Sequence, residues 1–153
     1  MSDLPNIIDT QVITKQWDIF WEANKLPEPI DVLVLTLPFE PGSKEETQLH
    51  KMLQACQLDL RQCYILHINN TEKIAWHQLR DAAKPKAVLT LGVHPQQLGI
   101  NSLFRLYTPN KFDERIWIVA QSLDELEQQP EAKKQLWVNG LKPVFVDNNA
   151  GIF

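Results

Sequence analysis

The sequence predicts an α/β fold, a three-layer α/β/α arrangement around a four-stranded, mainly parallel sheet. Several short stretches are continuously apolar, which is typical of strands that are covered on both faces. These stretches alternate with segments whose apolar residues recur at helical spacing, and such alternation indicates a mostly parallel sheet between helical layers. The chain has 153 residues, which fits a single domain over 1–153, with 1–29 as an N-terminal helix and linker.

The first part of the chain predicts an amphipathic helix. Asp9 or Thr10 can cap a helix that runs to about Asn24, and the prolines of residues 25–29 then break it. Its apolar side contains Val12, Ile13, Trp17, Phe20 and Trp21. The three aromatic residues suit the anchoring of this helix in a groove of a protein partner. The alternative is that the helix packs against the sheet of its own domain.

Four apolar stretches are predicted as the main strands. They are Asp31–Leu37, Cys63–Ile68, Lys86–Gly92 and Arg115–Ala120. Phe104–Tyr107 is a further candidate for an edge strand. The core is expected to contain Val32, Val34, Ile65, Val88, Leu89, Ile116 and Ile118.

Four helices are predicted between and after these strands. Ser43, with Glu46 three residues later, has the form of a capping box and predicts a helix through Cys56. Residues 74–83 predict a short helix, and Pro95 occupies the first position of another short one. A final helix is expected over about 123–141, with Pro130 as a kink or restart.

Composition restricts the function classes. The net charge of -4 argues against a broad phosphate-binding surface, although it leaves room for a local basic patch. Cys56 and Cys63 are the only cysteines, too few for a disulfide framework or a four-thiolate cluster, and the histidines show no metal-ligand spacing. We therefore expect no metal and no cofactor. No basic, apolar leader opens the sequence and no run reaches the length of a membrane span, so a cytoplasmic location is expected.

The order of the elements and several of their junctions resemble the uracil-DNA glycosylase superfamily. The segments 119–123 and 129–133, followed by Trp137, are similar to the strand, His-Pro-Ser turn and Asn-Pro-Glu-Ala-Lys helix of its four-cysteine bacterial branch. The segment 86–92 is similar to the strand of that family that ends in Leu-Gly. The resemblance covers roughly Asp31 to Leu141 and implies a uracil-DNA glycosylase-like fold.

The positions that carry chemistry in that superfamily are different here. The family has an acid after its first strand, in Gly-Glu-Ala-Pro-Gly, whereas this chain has Leu35–Pro38, with Glu40 two residues beyond the proline. The family histidine, which stabilises the leaving uracil anion, corresponds to Ala120. One such electrostatic donor contributes about 3 to 4 kcal/mol to catalysis. We therefore expect no catalytic residues and a degenerate cleft, formed by Pro38, Glu40, Ala120, Gln121 and Ser122.

A second resemblance is to a non-catalytic branch of this fold, the psi-subunit family of the bacterial DNA polymerase III clamp loader. Its closing Val-Ala-Ser-Pro strand end, Asn-Pro helix and Ala-Leu-Trp are similar to residues 119–122, 129–130 and 135–137. Its N-terminal peptide contains Ile-Thr-Gln-Trp, similar to Ile13–Trp17, and is the family's docking arm for the clamp-loader core. The resemblance implies a protein connector in DNA replication, with clamp-loader subunits as partners and with Trp17, Phe20 and Trp21 as the binding residues.

Two other function classes stay open. The first is a working glycosylase or nucleotide hydrolase that uses Glu40 in place of the missing acid. The second is a nucleic-acid-binding module that reuses the cleft without chemistry, and a basic rim around the cleft would favour it. The candidate cations for such a rim are Lys44, Lys51, Arg105, Lys111 and Arg115.

Overall fold

The computed structural model describes residues 30–149 and residue 151. The predicted N-terminal helix, including Trp17, Phe20 and Trp21, lies outside the described residues. Among the described helices, none has both the length and the apolar character that a membrane crossing requires.

The described part of the chain contains one five-stranded sheet. Its strands are β1 (Val32–Thr36), β2 (Cys63–His67), β3 (Ala87–Leu91), β4 (Pro109–Phe112) and β5 (Arg115–Ala120). They are arranged in the order β2-β1-β3-β5-β4. All neighbouring strands are parallel except β4, which pairs antiparallel with β5. The α/β class and the mostly parallel sheet are confirmed, whereas the expected count of four strands is wrong because β4 adds a fifth.

Helices cover both faces of this sheet. They are α1 (Lys44–Ala55), α2 (Trp76–Ala83), α3 (Leu123–Gln128), α4 (Pro130–Gln135), a π-helix (Leu136–Val146) and two 3-10 helices (Leu60–Gln62 and Pro95–Leu98). On one face α1, α3, α4 and the π-helix share a core with alternate residues of the strands. On the other face α2 and the 3-10 helix at Pro95 do the same. The arrangement is compatible with three α/β/α layers.

The central strands form where the sequence is apolar on both sides. Every residue of β1 and β3 is buried, as expected for parallel strands between two helical layers. Val34 stands in register with Ile65 on one neighbouring strand and Leu89 on the other. Five of the seven expected core residues are buried, while Ile65 and Ile116 are partly buried and pack against the core.

The prediction of an edge strand at Phe104–Tyr107 is wrong. In this segment Leu106 forms a single parallel bridge with Val119, and Tyr107 has a φ of 66°, which is incompatible with a strand. The Phe104 ring instead lies on Phe112 and Trp117, with centroids 5.7 and 5.6 Å away. This apolar residue covers the sheet from a loop and takes no part in the strand pairing.

The true edge strand is joined to β5 by a tight hairpin. Asp113 and Glu114 both have positive φ, which gives the turn the twist that antiparallel neighbours need. The Asp113 carboxylate accepts hydrogen bonds from the Trp76 indole at 2.8 Å and from Arg80 at 3.2 Å. These bonds lower the pKa of Asp113 and connect the hairpin to α2.

The last predicted helix differs from the observed one in its interior and its end. It breaks at Gln129 and restarts at Pro130, which confirms the predicted restart at this proline. Beyond Gln135 it continues in wider turns to Val146, five residues past the expected end. A Cβ on Gly140 would lie 2.9 Å from the Tyr107 carbonyl oxygen, so glycine permits the π-helix to approach this loop closely.

Candidate functional site

Ligand sites in open α/β sheets lie beyond the carboxyl ends of the strands, where the strand order reverses. In this sheet the reversal falls between β1 and β3. Backbone pairing continues past the strand ends, since the Leu37 N–H donates to the Leu91 carbonyl at 3.3 Å and the Gly92 N–H donates to Ala120 at 2.9 Å. The fold thus places the segment before Pro38 and the segment after Ala120 on either side of Gly92.

Gly92 shows that this junction is closed by packing. It has a φ of 83°, and a Cβ built on it would lie 2.9 Å from the Ser122 Cβ and 3.1 Å from the Leu37 side chain. Side chains from the ends of β1 and β5 therefore meet over the glycine. A side chain at position 92 has no room at this point of the edge.

The residues that follow β5 are used for structure. Ala120 is buried with 4% exposure. Ser122 is the N-cap of α3, where its Oγ accepts from the Glu125 N–H at 3.2 Å and the Glu125 carboxylate accepts from the Ser122 N–H at 3.4 Å. This reciprocal pair is a capping box. Gln121 keeps a buried Oε1 that has no hydrogen-bond partner among the described residues.

The residues that follow β1 face solvent. Pro38 and Glu40 are both exposed. The Glu40 carbonyl accepts from the Ser43 N–H at 3.1 Å in the turn that leads into α1. Ser43 caps α1 as predicted, but Glu46 returns its bond to the Gly42 N–H at 2.8 Å, one residue earlier than in a capping box. Glu40 is thus at the surface, whereas Ala120 and Ser122 are buried.

An aromatic contact covers the adjoining part of the edge. Phe39 lies against His67 at the end of β2, with ring centroids 4.5 Å apart. Burial lowers the pKa of His67, and the nearby Glu46 carboxylate opposes that shift in part. The imidazole is therefore held toward its neutral form.

The cysteines provide no reactive thiol. Burial raises the pKa of Cys56 to about 12 and that of Cys63 to about 11, so both thiols are almost fully protonated at neutral pH. Among residues 30–149 and 151, no three potential metal ligands of the His, Cys, Asp and Glu types come together.

A separate groove of about 520 Å³ opens between α1 and the π-helix. Its lining includes Met52, Ala55, Leu136, Trp137 and Leu141 on the apolar side and Lys44, Gln48 and Lys51 on the polar side. From the sequence, Lys44 and Lys51 were predicted only as two of five scattered cations, and Trp137 was not predicted as a groove residue. The spacing of Lys44, Gln48 and Lys51 along one side of a helix was the signal that could have found this surface.

The five candidate cations lie on different elements. Lys44 and Lys51 are on α1, whereas Lys111 is on the edge strand β4 and Arg105 is in the preceding loop. Arg115 donates to the Pro85 carbonyl at 2.8 Å and pairs with Asp113 at 3.7 Å, so its charge is already engaged.

Comparison with known proteins adds no family assignment. No protein-family model matches the chain, and no curated protein matches it significantly.

Proposed function

We propose that this chain is a non-catalytic connector protein of DNA replication, with a uracil-DNA glycosylase-like fold and a role like that of the DNA polymerase III psi subunit. It acts in the cytoplasm and binds clamp-loader subunits through residues 10–24, with Trp17, Phe20 and Trp21 as anchors. The packed junction at Gly92, where Leu37 and Ser122 lie over the glycine, is the observation that supports the proposed absence of catalysis.

Two features at the carboxyl end of the sheet support the absence of catalysis. A nucleobase must enter a pocket to be cleaved, and at Gly92, between the ends of β1 and β5, the side chains of Leu37 and Ser122 leave no space even for a Cβ. Ala120 also brings no donor to the position where a leaving anion would need one. Preorganised donors of that kind supply the largest single part of such catalysis.

The protein-binding part rests on the aromatic content of residues 10–24. The sheet is already covered on both faces by described elements, so its core does not require another helix. Two tryptophans and a phenylalanine within five residues provide a large apolar surface. Aromatic anchors of this type dominate many interfaces, and truncating one costs about 2 kcal/mol or more of binding free energy.

A pull-down with the full chain tests this binding. We expect the wild-type protein to recover the DNA polymerase III clamp-loader core, identified subunit by subunit by mass spectrometry, and Trp17→Ala/Trp21→Ala to lose it. The far-ultraviolet circular dichroism of that variant should remain unchanged. Leu60→Ala/Leu103→Ala is the matched control, because these leucines are 50% and 100% exposed on the described surface and should not contribute.

Two results contradict the connector proposal. If Trp17→Ala/Trp21→Ala unfolds the protein, the tryptophans belong to the core. If the folded wild-type protein captures no clamp-loader subunit, the partner assignment fails.

The glycosylase alternative has its own test, which is motivated by the exposed carboxylate of Glu40. We expect no uracil release from single- or double-stranded DNA, measured by cleavage of the resulting abasic sites. Uracil release that disappears in Glu40→Gln would show that this carboxylate replaces the missing acid and would overturn the non-catalytic proposal.

A further inference from the structure

The groove between α1 and the π-helix has the composition of a helix-binding surface. Its floor is apolar, with Leu136 and Leu141 buried beneath the partly exposed Met52 and Trp137. Ala55, the exposed last residue of α1, also lines the groove. A floor of this kind suits the apolar face of an amphipathic helix.

The polar side of the groove indicates an acidic ligand. Lys44 and Lys51 form no ion pair within the described part of the chain, whereas Lys133 is paired with Glu127 at 3.4 Å. Two uncompensated positive charges therefore stand along one rim. Beside them, Gln48 has a buried Nε2 without a hydrogen-bond partner among the described residues, which is unusual unless an acceptor arrives from outside.

The chain itself contains a segment of this chemistry. Residues 10–24 combine Ile13, Trp17, Phe20 and Trp21 with Asp18 and Glu22, and only one lysine stands among them. In a helix the two acids lie four residues apart, beside the aromatic face. Fifteen residues of helix are about 22 Å long, comparable with the roughly 18 Å of the twelve-residue α1.

The connection between this segment and the groove is short. Ile30 enters the sheet at the amino end of β1, where its N–H donates to the Ala83 carbonyl at 3.0 Å. Because α1 returns from the carboxyl edge of β1 to start the parallel strand β2, its last turn with Ala55 ends over that same amino edge. Ile30 packs on the α2 face of the sheet, and residues 25–29, which span up to about 17 Å when extended, are the length of chain available to bring Asn24 around the amino edge to that end of α1.

We propose that residues 10–24 bind in this groove of their own domain and that a protein partner must displace them. A short tether gives such a segment an effective concentration in the millimolar range, so even weak intrinsic affinity keeps the groove occupied. The groove then acts as an internal competitor for the aromatic anchors. The docking itself is independent of the proposed function, whereas its regulatory consequence rests on it.

Hydrogen–deuterium exchange of the full chain, read by mass spectrometry on peptides from residues 10–24, tests the docking. We expect slowed exchange in the wild-type protein and at least tenfold faster exchange in Lys44→Glu/Lys51→Glu. Adding Asp18→Lys and Glu22→Lys to that variant restores the opposite charges across the rim and should restore slow exchange. Lys73→Glu/Lys111→Glu is the control, because these exposed lysines lie away from the groove and should leave the exchange unchanged.

Three outcomes overturn the docking. They are fast exchange of the segment in the wild-type protein, slow exchange that survives Lys44→Glu/Lys51→Glu, and protection that rises with protein concentration. The last result would mean that the groove holds the segment of a second copy.

The pull-down of the clamp-loader core tests the regulatory consequence independently of the exchange experiment. If docking holds, Lys44→Glu/Lys51→Glu should bind the clamp-loader core more tightly than wild type. If exchange changes as expected but no variant binds that complex, the proposed function fails and the docking stands.

Discussion

At the scale of single residues, Gly92 decides whether the edge of the sheet is a cleft or a packed junction. Its positive φ and its contacts with Leu37 and Ser122 leave no room for a side chain. The sequence predicts Gly92 at the end of one strand, Ala120 at the end of another and Ser122 shortly after it, and the structure confirms these placements. What the sequence could not predict is that the two ends touch, because contact across β3 depends on register and not on either segment alone.

We predict that Gly92→Ala lowers the free energy of unfolding by about 2 to 5 kcal/mol. The left-handed conformation alone costs a non-glycine residue about 1 to 2 kcal/mol, and overpacking adds about 1 to 3 kcal/mol. Gly99→Ala is the matched control, since Gly99 has a φ of 78° but nothing within 4 Å of an added Cβ. Urea denaturation of both variants separates the cost of the left-handed conformation from the cost of overpacking. Equal losses of unfolding free energy in the two variants would mean that Leu37 and Ser122 do not pack tightly over Gly92.

At the scale of elements, prediction succeeded where burial on both faces dictates composition. The apolar runs gave β1, β2, β3 and β5 within one or two residues at each end. The strand β4 was missed because Pro109, Asn110 and Lys111 leave it without an apolar run, as an edge strand with one partner allows. Its hairpin turn was also hidden, since Asp113 and Glu114 adopt positive φ without the glycine that usually marks such turns.

The helices after β5 were also predicted only in part. Ser122 and Glu125 have capping-box spacing, so the start of α3 followed from sequence, whereas the continuation of the last helix to Val146 did not. Pro143 is a poor residue for a helix interior and indicates an end before it. The wider turns of the π-helix continue beyond Pro143, and the Asp147 backbone N–H donates to the Lys142 carbonyl at 2.9 Å.

We predict that Ser122→Ala lowers the free energy of unfolding by about 1 kcal/mol, because α3 loses its N-cap. Ser102→Ala is the control, since Ser102 is exposed and makes no side-chain hydrogen bond within the described residues, and its effect should stay within about 0.5 kcal/mol. Thermal and urea denaturation give both values. A Ser122→Ala protein as stable as wild type would show that the hydroxyl has no structural role and would reopen the question of its chemistry.

At the scale of the whole molecule, the ionisable groups that are buried or hydrogen-bonded set a limited pH range of full stability. The raised pKa values of Cys56 and Cys63 mean that the unfolded chain releases these protons first, so stability is lost as pH rises above about 8.5. The lowered pKa of Asp113 acts in the opposite direction, since its contribution is present above about pH 4 and is lost below it. Between these limits the lowered pKa of His67 also contributes to the pH dependence.

We predict that the free energy of unfolding falls as pH drops below about 6.5, the ordinary histidine value, well before the carboxylates titrate. Burial lowers the pKa of His67 in the folded protein, so between the two values the unfolded chain binds more protons and is favoured as pH falls. His67→Phe keeps an aromatic ring against Phe39 and removes the titration, and it should flatten the profile between pH 7 and about pH 5. Urea midpoints measured across this range provide the test, with His77→Phe as the control because His77 is exposed on α2. An acid-side decline of the same size in His67→Phe would assign it to another group and would show that the imidazole at the end of β2 is not held toward its neutral form.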